Sequence, residues 1–131
     1  MRVVLDTNVL ISALLFDGNP EKLVIATLAG SEQLVLSAYI ITETTRILET
    51  KFKVRPDNLK LLQQLLTEAE QVYFEPFLHI VTNEPNNRIV ETAVKGQANY
   101  IVTGDKPLLA LKQYKSVKII SIKEYLEIAG I

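Results

Sequence analysis

Residues 1–10 read MRVVLDTNVL. Arg2 to Leu5 form a short apolar run of the kind that a strand buried on both faces needs. Asp6, Thr7 and Asn8 then interrupt it, and TNVLISALL (7–15) continues with a helical pattern. A carboxylate therefore stands where a strand gives way to a helix. In an open parallel sheet, that junction lies on the edge where ligands bind.

The same alternation recurs along the chain. Asn19 and Pro20 read as the N-cap and first turn of a helix over EKLVIATLAG, ending at Gly30. QLVLS (33–37) is a second strand, and Ser37 caps the helix AYIITETTRILETKF (38–52). Arg55-Pro56-Asp57 opens the helix DNLKLLQQLLTEAEQ (57–71). VYF (72–74) and LHIV (78–81) read as strands or as an irregular crossing. EPNNRIVETAVKG becomes helical near Asn86 and stops around Gly96. ANYIVTG (98–104) is a strand, Asp105 opens the helix KPLLALKQY (106–114), and VKII (117–120) is a strand. SIKEYLEIAG closes the chain with Ser121 and Glu124 spaced as a capping box. Strands separated by helices imply an α/β fold: a mostly parallel central sheet with helices on both faces.

Composition narrows the chemistry. The chain has 131 residues, 48% of them apolar, which suits a single domain spanning 1–131. It has no Cys and only one His, His79, so thiolate nucleophiles, zinc–thiolate sites and His-rich metal sites are excluded. Acid–base or metal chemistry must use Asp and Glu. A net charge of -1 argues against a general DNA-coating surface while leaving local phosphate contacts open. The start lacks a signal-peptide pattern and no apolar run would span a bilayer, so a soluble cytoplasmic protein with no membrane partner is expected.

Three carboxylates stand out. Asp6 and Asp105 both follow strands and precede helices, which puts them on one sheet edge. Most Asp residues so placed are simple N-caps. Glu43 borders the apolar stripe of its helix, roughly 60° from Ile40 at 100° per residue. It is either a solvated edge residue or an acid leaning over the same sheet edge. Three converging carboxylates stay ionised together only around a cation. Oxygen ligands select a hard ion, Mg²⁺ or Mn²⁺, and such an ion suits phosphate-ester chemistry. Thr7, Asn8 and Thr103 could orient a water or a phosphate. Lys106, beside Asp105, could contact a phosphate, with Arg46 and Arg88 as weaker candidates. The lysines from Lys106 to Lys123, and the run Lys51, Lys53, Arg55, Lys60, fit ordinary solvated faces. Tyr39 is expected at the core or its rim rather than as a base-stacking platform.

VVLDTNVLISALL, LVLSAYIITETTRIL and NYIVTGDKPLLAL, in that order, resemble the successive motifs of PIN domains. The match is nearest to the bacterial subgroup grouped as toxins of toxin–antitoxin pairs, and it runs from Arg2 to about Tyr125. The resemblance implies a three-layer α/β/α fold and a Mg²⁺- or Mn²⁺-dependent endoribonuclease acting on single-stranded RNA. Asp6 matches the first acidic residue, Glu43 the second and Asp105 the last. Where the family usually has a further Asp, this chain has Asn86, followed by Asn87. Asn can cap a helix or offer a metal a neutral oxygen, but it carries no charge. Pro107 stands where another acid often follows. The resemblance thus carries an alternative, a weakened or inactive domain that binds RNA or a protein partner. Glu84, in an expected loop, could reach the site; Glu91, more than a turn into its helix, is not expected to substitute. The resemblance also implies an antitoxin partner. The apolar helix from Leu23 to Leu28 could carry a homodimer interface or serve the core alone. A phosphoryl-acceptor role for Asp6 fits poorly, because the second Asp expected two residues later is Asn8.

Overall fold

The computed structural model describes residues 1–30 and 32–131. Strand β1 (Arg2–Leu5) leads into α1 (Thr7–Leu15) and α2 (Asn19–Leu28); β2 (Gln33–Ser37) leads into α3 (Ala38–Thr50). After one 3-10 turn (Pro56–Asn58) come α4 (Lys60–Glu68), β3 (Glu70–Val72) and α5 (Glu84–Lys95). The chain ends with β4 (Tyr100–Val102), α6 (Lys106–Ala110), β5 (Gln113–Tyr114), β6 (Val117–Ile120) and α7 (Ile122–Ala129).

The strands form one sheet in the order β3-β2-β1-β4-β6-β5. All neighbours are parallel except β5 with β6. From β1 the chain winds outward through β2 to β3, then crosses to the other side of β1 and winds out through β4 to β6. Right-handed crossovers in opposite directions put their helices on opposite faces, which gives three layers, α/β/α. On one face α1 packs with α2, and α2 with α7; α5 lies across β1, β2 and β4 on the other. Val3, Val4 and Leu5 are completely buried, as a central strand covered on both faces must be. A smaller apolar cluster of Ile11, Leu48 and Leu62 joins α1, α3 and α4. Among the described residues no helix is long and apolar enough to cross a membrane.

Several boundaries differ from the sequence reading. Gly18 (φ +129°), rather than Asn19, is the N-cap of α2, with Pro20 in the first turn. The helix expected over 57–71 gives up its last residues, because Glu70–Val72 pairs with Val35–Ser37 at the sheet edge. There the β ladder overrides local helix propensity. Residues 78–81 make no strand. The helix after Asp105 stops at Ala110: Lys112 turns to φ +62°, and Gln113–Tyr114 pairs back onto β6. Helix α5 begins at Glu84 with Asn83 as its cap, so Asn86 lies inside the first turn and Glu84 is helical. Gly96, which ends α5, is required by close approach: a Cβ there would overlap Cγ1 of Val35 on β2.

Candidate active site

Asp6 stands at the point from which the chain winds both ways, the switch point of the sheet. Its backbone N–H extends the ladder beyond β1 to the Val102 carbonyl at 3.1 Å. Its side chain caps α1, with Oδ1 accepting from the Val9 N–H at 2.8 Å. Thr103, completely buried, extends the neighbouring ladder through its N–H to the Ile120 carbonyl at 3.0 Å. The Thr103 hydroxyl donates to Oδ2 of Asp6 and accepts from the Asp105 N–H at 2.9 Å. One hydroxyl thus ties Asp6 to the turn that carries Asp105. Asp105 caps α6, its Oδ2 accepting from the Leu108 N–H at 3.0 Å and from Asn86 Nδ2 at 2.9 Å.

Asp6, Asn86 and Asp105 line a cavity of about 150 Å³, whose wall also includes Thr7, Asn8, Glu43 and Asn83. Glu43 reaches it from the exposed-to-buried border of α3, with a side chain 31% accessible. Its Oε1 takes a hydrogen bond from Arg46 at 2.9 Å. An exposed pair one helical turn apart is worth only about 0.3–0.5 kcal/mol, so Arg46 is a weak competitor for this carboxylate.

Asp6 is 3% exposed, and burial is the main force pushing its carboxyl above the ordinary value of 3.8. The charge of Asp105 pushes in the same direction. The hydrogen bonds from Thr103 and Val9 oppose both without cancelling them. Among the described residues neither Asp6 nor Asp105 makes an ion pair. Two facing acids with no cationic side chain, one of them destabilised by the other, form a donor set that fits a hard divalent ion. Among the described residues no cluster of three acids or histidines stands ready for a metal with the side chains as they are. Glu43 is drawn toward Arg46, and the fourth wall position is an amide. Arg46 engages only Oε1 of Glu43, which leaves Oε2 for a ligand set with Asp6 and Asp105.

Thr7 is buried in the wall and Asn8 is exposed at its mouth. The Thr103 hydroxyl is taken up by the Asp6 carboxylate and the Asp105 N–H, and Thr103 does not line the cavity. Lys106 is exposed beside Asp105 and outside the wall. Glu84 does not replace the missing acid: its carboxylate takes the Asn87 amide at 3.1 Å and lies 3.5 Å from both His79 and Arg88. Glu91 also lies away from the cavity.

Asn87 and Glu91, which the sequence reading named without giving either a role, are completely buried and fasten residues 77–81 to α5. Asn87 Oδ1 accepts from the N–H groups of Ile80 and Val81 at 3.0 and 3.1 Å. The Glu91 carboxylate accepts from the N–H groups of Phe77 and Leu78 and pairs with Arg88. The signal for this was available: a helix with Ile89, Val90 and Ala93 buried around them leaves an amide and an acid no solvent, so each must find a partner. The clamp fixes the chain just before Asn83 and Asn86 enter the cavity wall.

The architecture defines a three-layer α/β domain with acids gathered at the switch point of its sheet. The model of the PIN domain matches residues 2–107, and the chain belongs to the PIN-domain family, whose members are in general nucleases. Among solved structures, a chain of VapBC2 from Rickettsia felis, determined bound to a DNA fragment from their promoter, shares the fold with a TM-score of 0.64. It is 18% identical, and the match covers 92% of this chain and 98% of that one. No curated protein matches this chain.

Proposed function

We propose that the protein is a divalent-metal-dependent endoribonuclease that hydrolyses phosphodiester bonds in single-stranded RNA, and that it is the toxin of a toxin–antitoxin pair. The observation that carries this reading is the cavity in which Asp6 and Asp105 meet with Glu43 at the rim, in a chain of the PIN family. The fold shared with a VapBC2 chain supports an antitoxin partner.

A Mg²⁺ or Mn²⁺ ion held by Asp6 and Asp105, with Glu43 joining, would acidify a water and offset negative charge on the phosphate oxygens. The protein's own share is positional. Thr103 holds the Asp6 carboxylate in one orientation, and Asn86 and the Leu108 N–H do the same for Asp105. Thr7 and Asn8 offer polar atoms at the cavity wall and mouth to orient the phosphate. Lys106, exposed beside Asp105 and outside the wall, would contact a neighbouring phosphate of the strand. The test is cleavage of a mixed-sequence single-stranded RNA in Mg²⁺, in Mn²⁺ and in EDTA. Metal-dependent cutting by the wild type and none by Asp6→Asn support the reading; no cutting in either metal overturns it.

A second reading is favoured by one contact. Asn86 puts an N–H donor, 2.9 Å from Asp105, where the family's pattern has a charge. On that reading the domain binds RNA or a protein partner without cutting. Cleavage by Asn86→Asp alone, with an inert wild type, would select it.

A further inference from the structure

Residues Tyr39, Tyr73, Phe74 and Phe77 form an aromatic surface that the core does not require. Tyr73 is 77% exposed and Phe77 is 41% exposed. The rings of Tyr39 and Phe74 lie 5.3 Å apart and tilted by 36°, and Phe77 meets Phe74 edge-on at 6.1 Å. Lys95 sits 5.1 Å over Phe77. Tyr73 directly follows β3 and Tyr39 follows β2 by two residues, so topology brings these rings to the sheet edge that carries Asp6.

The surface is continuous with the candidate site. A groove of about 620 Å³ shares Thr7, Glu43, Pro85 and Ile89 with the wall of the acidic cavity. It also shares Ala38 and Tyr39 with a recess of about 440 Å³ that contains Tyr73 and Phe74. One path therefore runs from the acids, past Glu43, to the exposed rings.

Charge cannot supply much affinity along this path. The chain has 14 basic and 15 acidic residues. Glu43, Glu75 and Glu84 border the path, and Arg88 is occupied by Glu84 and Glu91. What the path does offer is aromatic faces. We propose that it is the substrate track, on which unstacked bases of single-stranded RNA stack against Tyr73 and the Tyr39–Phe74 pair while a phosphate enters the acidic cavity. This rests on the ribonuclease reading and extends it: the enzyme holds its strand by stacking more than by phosphate neutralisation. Base–aromatic stacking needs bases free of a duplex and tolerates any sequence.

The test is binding, measured separately from cleavage. A fluorescein-labelled mixed-sequence single-stranded RNA 12-mer is titrated with the full chain in EDTA, and fluorescence anisotropy is read at several salt concentrations. Tyr73→Ala is expected to weaken binding about tenfold, within the range for loss of one stacked base, while Tyr73→Phe binds like the wild type. Tyr73 is so exposed that neither change should disturb folding, and circular dichroism checks this. The slope of log K against log salt is expected to be no steeper than about −1.4, two contacts through Lys95 and Lys106 at about −0.7 each. The same RNA annealed to its complement should bind more weakly.

No binding by the wild type, unchanged binding by Tyr73→Ala, or a steep salt slope overturns the stacking track. So does a Tyr73→Ala variant that keeps its RNA affinity and loses a co-expressed protein partner, which assigns the face to that partner. RNA cleavage with Tyr73-independent binding leaves the ribonuclease reading standing and the track refuted. Tyr73-dependent binding without metal-dependent cleavage does the reverse.

Discussion

Asn86 Nδ2 lies 2.9 Å from Oδ2 of Asp105, a neutral donor against a carboxylate inside the acidic cavity. An acid at position 86 would set two carboxylates at that separation. The amide keeps a further charge away from Asp105 in a cavity that already holds Asp6 and Glu43.

Asn86→Asp is therefore expected to lose about 1–3 kcal/mol of stability in EDTA, through the lost hydrogen bond and the new repulsion. Millimolar Mn²⁺ should restore it, and calorimetry should show tighter Mn²⁺ binding than in the wild type. Urea unfolding with and without metal checks both. Equal stability in EDTA would mean that the Asn86–Asp105 contact does not hold the cavity together.

Asp6 gives a pH dependence. Its folded-state carboxyl sits above the ordinary value of 3.8, chiefly because it is buried. The folded protein thus binds this proton more tightly than the unfolded chain does. Stability from Asp6 is greatest at low pH and is lost as pH rises from about 3.8 through the folded-state value. Asp6→Asn keeps a cap oxygen for Val9 and carries no charge. In EDTA it should melt above the wild type at pH 7, and the difference should shrink as pH falls toward 4. Parallel melts of the two proteins across this range check the sign.

Glu91→Ala removes the acceptor of two backbone N–H groups and leaves Arg88 without its buried partner. Breaking such a pair costs about 3–5 kcal/mol. Hydrogen exchange should quicken at Phe77 and Leu78 more than in the sheet. Equal protection at those two amides would show that the clamp is not what orders the segment.

Gly96→Ala places a methyl group against Val35. Overpacking of this kind costs about 1–3 kcal/mol. Adding Val35→Ala should recover part of the loss, and the coupling is read from a double-mutant cycle of unfolding free energies.

The central strand and its flanking helices were plain in the sequence, because RVVL followed by a capped, largely apolar helix carries its own local signals. Ser121 and Glu124 form the expected capping box, and Ser37 caps α3. Of the boundaries that moved, some are set at a distance. The edge pairing of Glu70–Val72 depends on β2, and the fastening of residues 77–81 depends on Asn87 and Glu91. Neither partner lies in the same stretch of chain. At the site, strand ends predicted that Asp6 and Asp105 share an edge, and the cavity brings them together with Asn86 and Glu43. The Glu43–Arg46 pair and the position of Asn86 inside the first turn of α5 follow from side-chain geometry and the exact helix start. Periodicity resolves neither.

Placing the earliest strand at the centre of the sheet also sets an order of events during synthesis. Asp6 is made before its partners and gains its Val102 and Thr103 contacts only after almost a hundred further residues have been made. At about 5–20 residues per second this takes roughly 5–20 s. During that interval the nascent chain lacks Asp105 and with it one wall of the acidic cavity. A copy translated only part-way lacks the acidic cavity, and whatever this cavity does begins only after Asp105 has been made.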